Sequence, residues 1–412
     1  ATATATAVPP TATATPLPTS TPTMTPTPLP PPPGEIVFLW NPEPLDPTGP
    51  RPQNLYFVKP GNAAGEWEIE TLVTDVYGAG LYLSPDGAKF AVRLFDDTDG
   101  NGRISVGDYS NIYLYPLSDQ TLTRLTEATA KDIRQVSWLP ASQRFTYALN
   151  KDIFLFDLAN LTSRRVLSLP GLIYSHQWSP DGQWLAVISY VSDEPVMGGE
   201  THRLDLYNVA TNNLIPLVDK MGFSTLKWSL DSRWLASNYE YNQGLLVTSM
   251  NDLHPIELVA SNSLSFSSWS PDGQWLAFTT QLGTGNLNVW NPNTETVEQL
   301  LAGNGRISQP IWSPDSQHLA VALNAETESS LLIVDVIDKT TDTLLIGPEP
   351  GPAHYPYPLD MLTWSPDGQW ILFEASGKDS RSFSIVNVSN GAAFVVLDFT
   401  GSAVPDNVFW LP

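Results

Sequence analysis

From Glu35 onward the apolar residues fall in short runs, at 36–40, 54–58, 67–72, 90–95, 111–115, 275–280, 286–290 and 297–301. These runs are rich in β-branched residues, aromatics and Leu, and they are bounded by Asn, Gly, Asp and Thr, a pattern that predicts short strands joined by turns. Before Glu35 the pattern disappears. Residues 1–33 hold 11 Thr, 11 Pro and 6 Ala, with no charged residue and no aromatic ring. Such a stretch has nothing with which to build a core and favours extended polyproline II segments.

The strand pattern repeats. Trp178-Ser179-Pro180-Asp181-Gly182-Gln183-Trp184-Leu185-Ala186 recurs nearly unchanged from Trp269 to Ala277 and from Trp364 to Leu372. Weaker copies begin at Trp228 and Trp312, Leu83 replaces the Trp in another, and Trp138-Leu139-Pro140 has lost the Asp-Gly. The departures at Leu83, Trp138 and Leu230 read as weakened turns. Anchors at 83, 138, 178, 228, 269, 312 and 364 are 40 to 55 residues apart, the length of a four-stranded propeller blade. Within each unit a strand enters the Trp, Pro-Asp-Gly turns the chain because Pro presets one dihedral and Gly accepts a positive φ, and three more strands follow. The repeated Trp and Leu residues read as packing between blades.

The two ends complement each other. Runs 36–40, 54–58 and 67–72 supply the second, third and fourth strands of a unit that lacks its first, and Asn407-Val408-Phe409-Trp410-Leu411-Pro412 mirrors the first strand ending at Trp138-Leu139-Pro140. The predicted fold is therefore all-β: an eight-bladed β-propeller over 35–412, closed by a three-plus-one clasp, behind an extended Thr/Pro-rich N-terminal tail over 1–34. Closure removes the unpaired edge that an open array of blades would present.

The Trp-Ser-Pro-Asp-Gly units resemble the WD40-like repeats of TolB-type β-propellers. That resemblance covers 35–412 and implies a cell-envelope or extracellular setting. It implies no single activity, since related propellers serve as protein-docking modules, as gates on peptidases and as lyases.

Composition narrows the partners. Lys and Arg total 20 against 43 Asp and Glu, a formal charge of −23, which repels a nucleic-acid backbone or an anionic membrane. With no cysteine there is neither a disulfide framework nor thiolate chemistry. No run approaches the ~18 apolar residues of a transmembrane segment. The chain shows no initiator Met or signal peptide and reads as a mature or trimmed form. Thr- and Pro-dense tracts are typical of spacers and O-glycosylated stalks on exported proteins. Asn160-Leu161-Thr162 and Asn387-Val388-Ser389 are N-glycosylation sequons.

One loop carries a metal signature. Over 97–108, Asp97, Asp99, Asn101, Ser105 and Asp108 place oxygen donors at positions 1, 3, 5, 9 and 12 of a calcium loop, with Gly102 at position 6 and the Arg103 carbonyl at position 7. Position 12 is Asp where the EF-hand has Glu, as in dockerin loops, and strands flank the loop in place of helices. The expected ligands of a structural Ca2+ are thus Asp97, Asp99, Asn101, Arg103, Ser105 and Asp108. The five histidines are scattered and show no zinc spacing, and no Gly-x-Ser-x-Gly elbow is present. Arg134, His176, Asp360 and Asp406 fall on channel-proximal strands, where they could form a polar cluster but read better as solvated tunnel lining; the histidines in general read best as surface or satisfied core residues. The function expected is a non-catalytic extracellular or envelope propeller that binds protein and assembles head-to-tail through its tail. The alternative is a polysaccharide- or peptide-binding or lyase-type propeller that uses the tunnel.

Overall fold

The computed structural model describes residues 32, 34–40, 52–61, 66–77, 80–101, 104, 108–127, 133–191, 202–239, 244–260, 266–282, 284–326, 328–347, 359–376, 381–399 and 406–411. These form antiparallel strands without a helix, arranged as eight sheets in a β-propeller. No helix among the described residues is long and apolar enough to cross a membrane.

We number the blades from the first complete repeat. Blade 1 contains Gly80–Leu83, Lys89–Asp96, Tyr109–Pro116 and Thr123–Arg124, and blade 2 contains Ile133–Trp138, Arg144–Leu149, Asp152–Asp157 and Thr162–Ser168. Blades 3 to 7 open with the strands that end at Trp178, Trp228, Trp269, Trp312 and Trp364. Blade 8 is split. Its sheet runs Trp67–Tyr77, Pro52–Pro60, Glu35–Trp40 and then Asp406–Leu411, the expected three-plus-one clasp. Ile36 pairs with Trp410 and Val37 with Phe409. Gly34 shows why the chain enters here through glycine: its φ is +87°, and a Cβ would lie 2.0 Å from the Leu411 carbonyl oxygen.

The apolar core is a ring of seams. Each large cluster spans two neighbouring blades, as where Ala186, Leu204 and Leu206 of blade 3 meet Trp228, Leu235 and Leu246 of blade 4. Across the closure, Phe38 of blade 8 packs edge-on against Phe383 of blade 7, with ring centroids 5.7 Å apart, and Phe409 packs against Phe90 of blade 1 at 5.3 Å.

The repeat residues act within and between blades. In each Ser-x-Asp turn the Ser hydroxyl donates to the Asp carboxylate, at 2.5 to 2.7 Å, in Ser84–Asp86, Ser179–Asp181, Ser229–Asp231, Ser270–Asp272, Ser313–Asp315 and Ser365–Asp367. The same hydroxyl accepts from the amide that begins the second strand, as Trp184 N–H does to Ser179 at 3.0 Å. The anchor indole N–H donates to the preceding blade's inner strand: Trp138 to Tyr82 O, Trp228 to Gln177 O, Trp269 to Lys227 O, Trp312 to Ser268 O and Trp364 to Ile311 O, at 2.8 to 3.2 Å. These acceptors immediately precede the anchor of their own blade. Trp and Ser are thus required by hydrogen bonding as well as by packing.

Two of the turns read as weakened, those after Trp138 and Trp228, belong to an alternation that runs around the ring. The left-handed position is occupied in ring order by Gly87, Ser142, Gly182, Ser232, Gly273, Ser316 and Gly368, with φ between +54° and +71°. Ser at this position costs backbone energy, which a new hydrogen bond offsets. Asp86 N–H donates to Ser142 Oγ, Asp181 N–H to Ser232 Oγ and Asp272 N–H to Ser316 Oγ, at 2.9 to 3.0 Å. The serines therefore tie the turns together in pairs, blades 1–2, 3–4 and 5–6.

Removing residues 404–412 strips blade 8 of its inner strand and exposes the edge of Glu35–Trp40. The truncated chain is expected to melt at a clearly lower temperature in a single transition. A melting profile identical to that of the full chain excludes a stabilising clasp.

Candidate functional site

Successive loops of an up-and-down sheet alternate between its two ends, so the loop joining Lys89–Asp96 to Tyr109–Pro116 lies opposite the Ser-Pro-Asp-Gly turns. Asp96 secures the base of this loop, accepting from Asn111 Nδ2 at 2.7 Å and Tyr113 OH at 2.6 Å, with Arg124 at 3.6 Å. Burial, reinforced by the Asp96 carboxylate, pushes the Tyr113 phenol well above its ordinary range, so it remains a donor.

Beyond this base, carboxylate oxygens of Asp97, Asp99 and Asp108 lie within 4.8 Å of one another. Asp97 and Asp99 are exposed and Asp108 is buried. Asp108 accepts from the backbone N–H and the hydroxyl of Thr98, at 2.8 and 2.9 Å, which pins the two ends of the loop together. Asn101 N–H points at Asp97 and Asp99, and its side-chain amide donates to Asp99 at 2.7 Å. Three like charges at this separation repel in the absence of a counter-ion, and an all-oxygen donor set suits a hard divalent cation. The cluster can therefore bind a metal. Of the six expected ligands, Asp97, Asp99, Asn101 and Asp108 come together, whereas Arg103 and Ser105 lie outside the described residues.

The polar cluster that these channel-proximal residues could have formed is not assembled among the described residues. His176 is fully buried in the seam between blades 2 and 3, its Nε2 lying 3.0 Å from Thr146 Oγ1. That hydroxyl also accepts the Trp178 indole N–H at 2.9 Å and lies 3.3 Å from the Ser137 carbonyl, so it relays the indole bond that other blades make directly. The physical reason for the displacement is strand alternation: His176 shares with Trp178 the side of the strand that faces blade 2. Arg134 is half-buried, Asp360 is exposed, and the side chain of Asp406 lies outside the described residues.

Two cations on inner strands were missed by sequence reasoning. Arg306 stacks 5.7 Å from the Phe266 ring of blade 5; burial pulls its guanidinium down, and Asp360 of blade 7 opposes that shift. Lys227 donates to the Ser267 carbonyl of blade 5, and burial lowers its amine to about 8. The available signal was register, because Lys227 occupies the position before the anchor that Gln177 and Ser268 occupy in neighbouring blades. The two sequons also differ. Asn160 is exposed, whereas Asn387 is buried and its side-chain Oδ1 accepts from Ser389 N–H and Oγ.

No protein-family profile matches the chain, and no curated protein matches it in sequence. Solved structures do. An oligogalacturonate lyase in complex with manganese is similar at 15% identity and a TM-score of 0.51, over 86% of this chain and 98% of the lyase. Porphyromonas gingivalis dipeptidyl peptidase 4 is similar at 12% identity and a TM-score of 0.59, over 83% of this chain and 57% of the peptidase. TolB from Acinetobacter baumannii is found at 12% identity and a TM-score of 0.39, over 89% of this chain and 81% of TolB, too distant to extend the fold statement. The neighbours thus include enzymes as well as TolB. Fold and site together define the class: an eight-bladed β-propeller with an acidic, metal-competent loop on the face opposite its repeat turns.

Buried His176 generates a pH prediction. Desolvation lowers its pKa from 6.5 to about 4 in the folded chain, so below pH 6.5 the unfolded chain takes up a proton that the folded chain refuses. This contribution should therefore destabilise the fold progressively from about pH 6.5 to pH 4, by up to about 3 kcal/mol at ~1.4 kcal/mol per pKa unit. His176→Gln is expected to flatten that part of the stability–pH curve, measured by denaturant melts. Equal slopes for the two chains over this window contradict a neutral buried His176.

Proposed function

We propose that this chain is a non-catalytic, exported β-propeller of the cell envelope or exterior, which binds protein and assembles with copies of itself through its Thr/Pro-rich tail. The observation that carries this reading is the use of inner-strand polar groups to join blades. His176 is committed to Thr146, Ser175 to Gln135, Lys227 to the Ser267 carbonyl and Ser268 to the Pro310 carbonyl. Groups committed in this way hold a rigid ring together. The charge-free Thr/Pro tail and the repeat resemblance support export, and an extended tail of this kind can dock on a neighbouring copy.

In this reading the 97–108 loop binds one Ca2+ through Asp97, Asp99, Asn101, the Arg103 carbonyl and Asp108, with Ser105 direct or through water. The ion clips the loop instead of opening a partner groove, because strands stand on both sides of it. Ca2+ is expected to raise the melting temperature modestly, since it binds the folded chain, and chelation should reverse the rise. Asp97→Asn with Asp108→Asn should abolish the response. A chain whose melt ignores millimolar Ca2+ has no such site, and a response to Mn2+ alone reassigns the ion.

A second reading is favoured by Arg306 and Asp360 on neighbouring inner strands near the channel, together with the fold of the lyase neighbour. Here the tunnel binds or cleaves a polysaccharide or binds a peptide. Purified full-length chain is expected to leave polysaccharides uncleaved and to grow into larger species as its concentration rises in sedimentation runs. Cleavage that Arg306→Ala abolishes supports the second reading, and a chain that stays monomeric at high concentration excludes tail-mediated assembly.

A further inference from the structure

Six of the seven internal repeat turns carry an Asp, at Asp86, Asp181, Asp231, Asp272, Asp315 and Asp367, so the face they share is ringed with carboxylates. Blade 2 departs from this pattern. Its turn reads Leu139-Pro140-Ala141-Ser142, yet it keeps the same backbone, with Ser142 N–H donating to Leu139 O at 3.0 Å and Ser142 Oγ binding the turn of blade 1. Losing the carboxylate without losing the turn leaves an apolar interruption in an acidic face.

At that interruption lies a groove of about 490 Å³ whose apolar lining is Leu139, Pro140, Ala141 and Ala159. Its basic and acidic members largely cancel: Arg144 Nε lies 2.7 Å from Asp157 Oδ2. The remaining carboxylate, Asp181, is turned into its own loop, where it accepts from Ser179 Oγ at 2.5 Å and Gln183 N–H at 3.0 Å. Gln143 and Asn160 line the groove with amide groups, which suit a polyproline II chain because it makes no internal hydrogen bonds.

We propose that this groove between blades 2 and 3 receives the uncharged Thr/Pro/Ala tail of a second copy of the chain. The inference rests on the assembly reading above and assigns its docking surface. The fit is one of charge and reach. A chain of net charge −23 repels copies of itself along most surfaces, but residues 1–33 are free of charge, and so they approach an acidic face without that penalty. They meet apolar contact where the ring of carboxylates is broken. At ~3.1 Å per residue an extended tail of this length spans roughly 100 Å, enough to reach across a neighbouring propeller. A tail-to-groove contact is head-to-tail and need not close, so it propagates as a fibre.

The natural absence of cysteine makes the test direct. Full-length Thr13→Cys and Thr25→Cys chains are each mixed with full-length Ala141→Cys under mild oxidation, with Asn293→Cys, on the hairpin between the third and fourth strands of blade 5 at the same end of the blades, as control. Disulfide-linked heterodimers are expected at least fivefold more with Ala141→Cys than with Asn293→Cys. Full-length Ala141→Glu should need at least tenfold higher concentration to assemble while melting as the natural chain does. Equal crosslinking at both positions, or unimpaired assembly of Ala141→Glu, overturns the groove assignment and leaves tail-mediated assembly standing. A chain that remains monomeric and crosslinks nowhere removes both. Crosslinking confined to single chains that carry both Thr13→Cys and Ala141→Cys, with none between mixed chains, places the tail in its own groove and also overturns the proposal.

Discussion

The indole N–H of the anchor tryptophans, which for Trp138, Trp228, Trp269, Trp312 and Trp364 reaches the neighbouring blade's inner-strand carbonyl, is the contact around which this ring is organised. A propeller blade cannot bury both faces by itself, so its stability lies in the seams, and a seam needs a fixed register as well as apolar area. The indole supplies both. Its rings enter the apolar seam while its polar edge ends on a backbone carbonyl that precedes the partner blade's own anchor. A neutral hydrogen bond of this kind contributes about 1 kcal/mol, and leaving the buried N–H unpaired costs more. Where Thr146 stands between Trp178 and Ser137, the hydroxyl preserves the connection and in doing so draws His176 into the same network.

The same economy of backbone groups explains the repeat turns. Ser-Pro-Asp-Gly fixes each turn internally through the Ser hydroxyl and Asp carboxylate, which leaves the Asp amide available to a neighbour. In alternate blades a serine accepts it from the left-handed position. Turn stability and ring closure are therefore coupled in pairs of blades. The face so formed is short-looped and acidic, and the opposite face carries the inserted acidic loop of blade 1.

Several inner-strand polar groups hold blades together, and two further features stand at the periphery: a carboxylate cluster on one face and a break in the carboxylate ring on the other. The metal-competent cluster takes its geometry from a backbone hairpin whose base is held by Asp96, Asn111 and Tyr113. The blade 2 groove exists because a turn can lose its Asp-Gly and still be held by Ser142.

Blade number, the split closing blade and the acidic loop were legible in the sequence because each depends on local, periodic information: strand-length apolar runs, a turn whose residues set their own dihedrals, and ligand types at fixed spacing. The pairing of Ile36 with Trp410 was legible for the same reason, since each end shows the part of a repeat that the other lacks. Which side of a strand faces a seam is not local. His176 was read as channel lining because its strand is innermost, but its rotation buries it against Thr146, while Lys227 and Arg306 went unnoticed until neighbouring blades supplied Ser267, Phe266 and Asp360. The alternation of Gly and Ser was also visible as letters, yet its meaning required the next blade's amide. Sequence determined the elements and their count, because these are set within a single repeat; tertiary structure decided which polar groups are consumed in joining repeats and which remain exposed, because that is settled only between them.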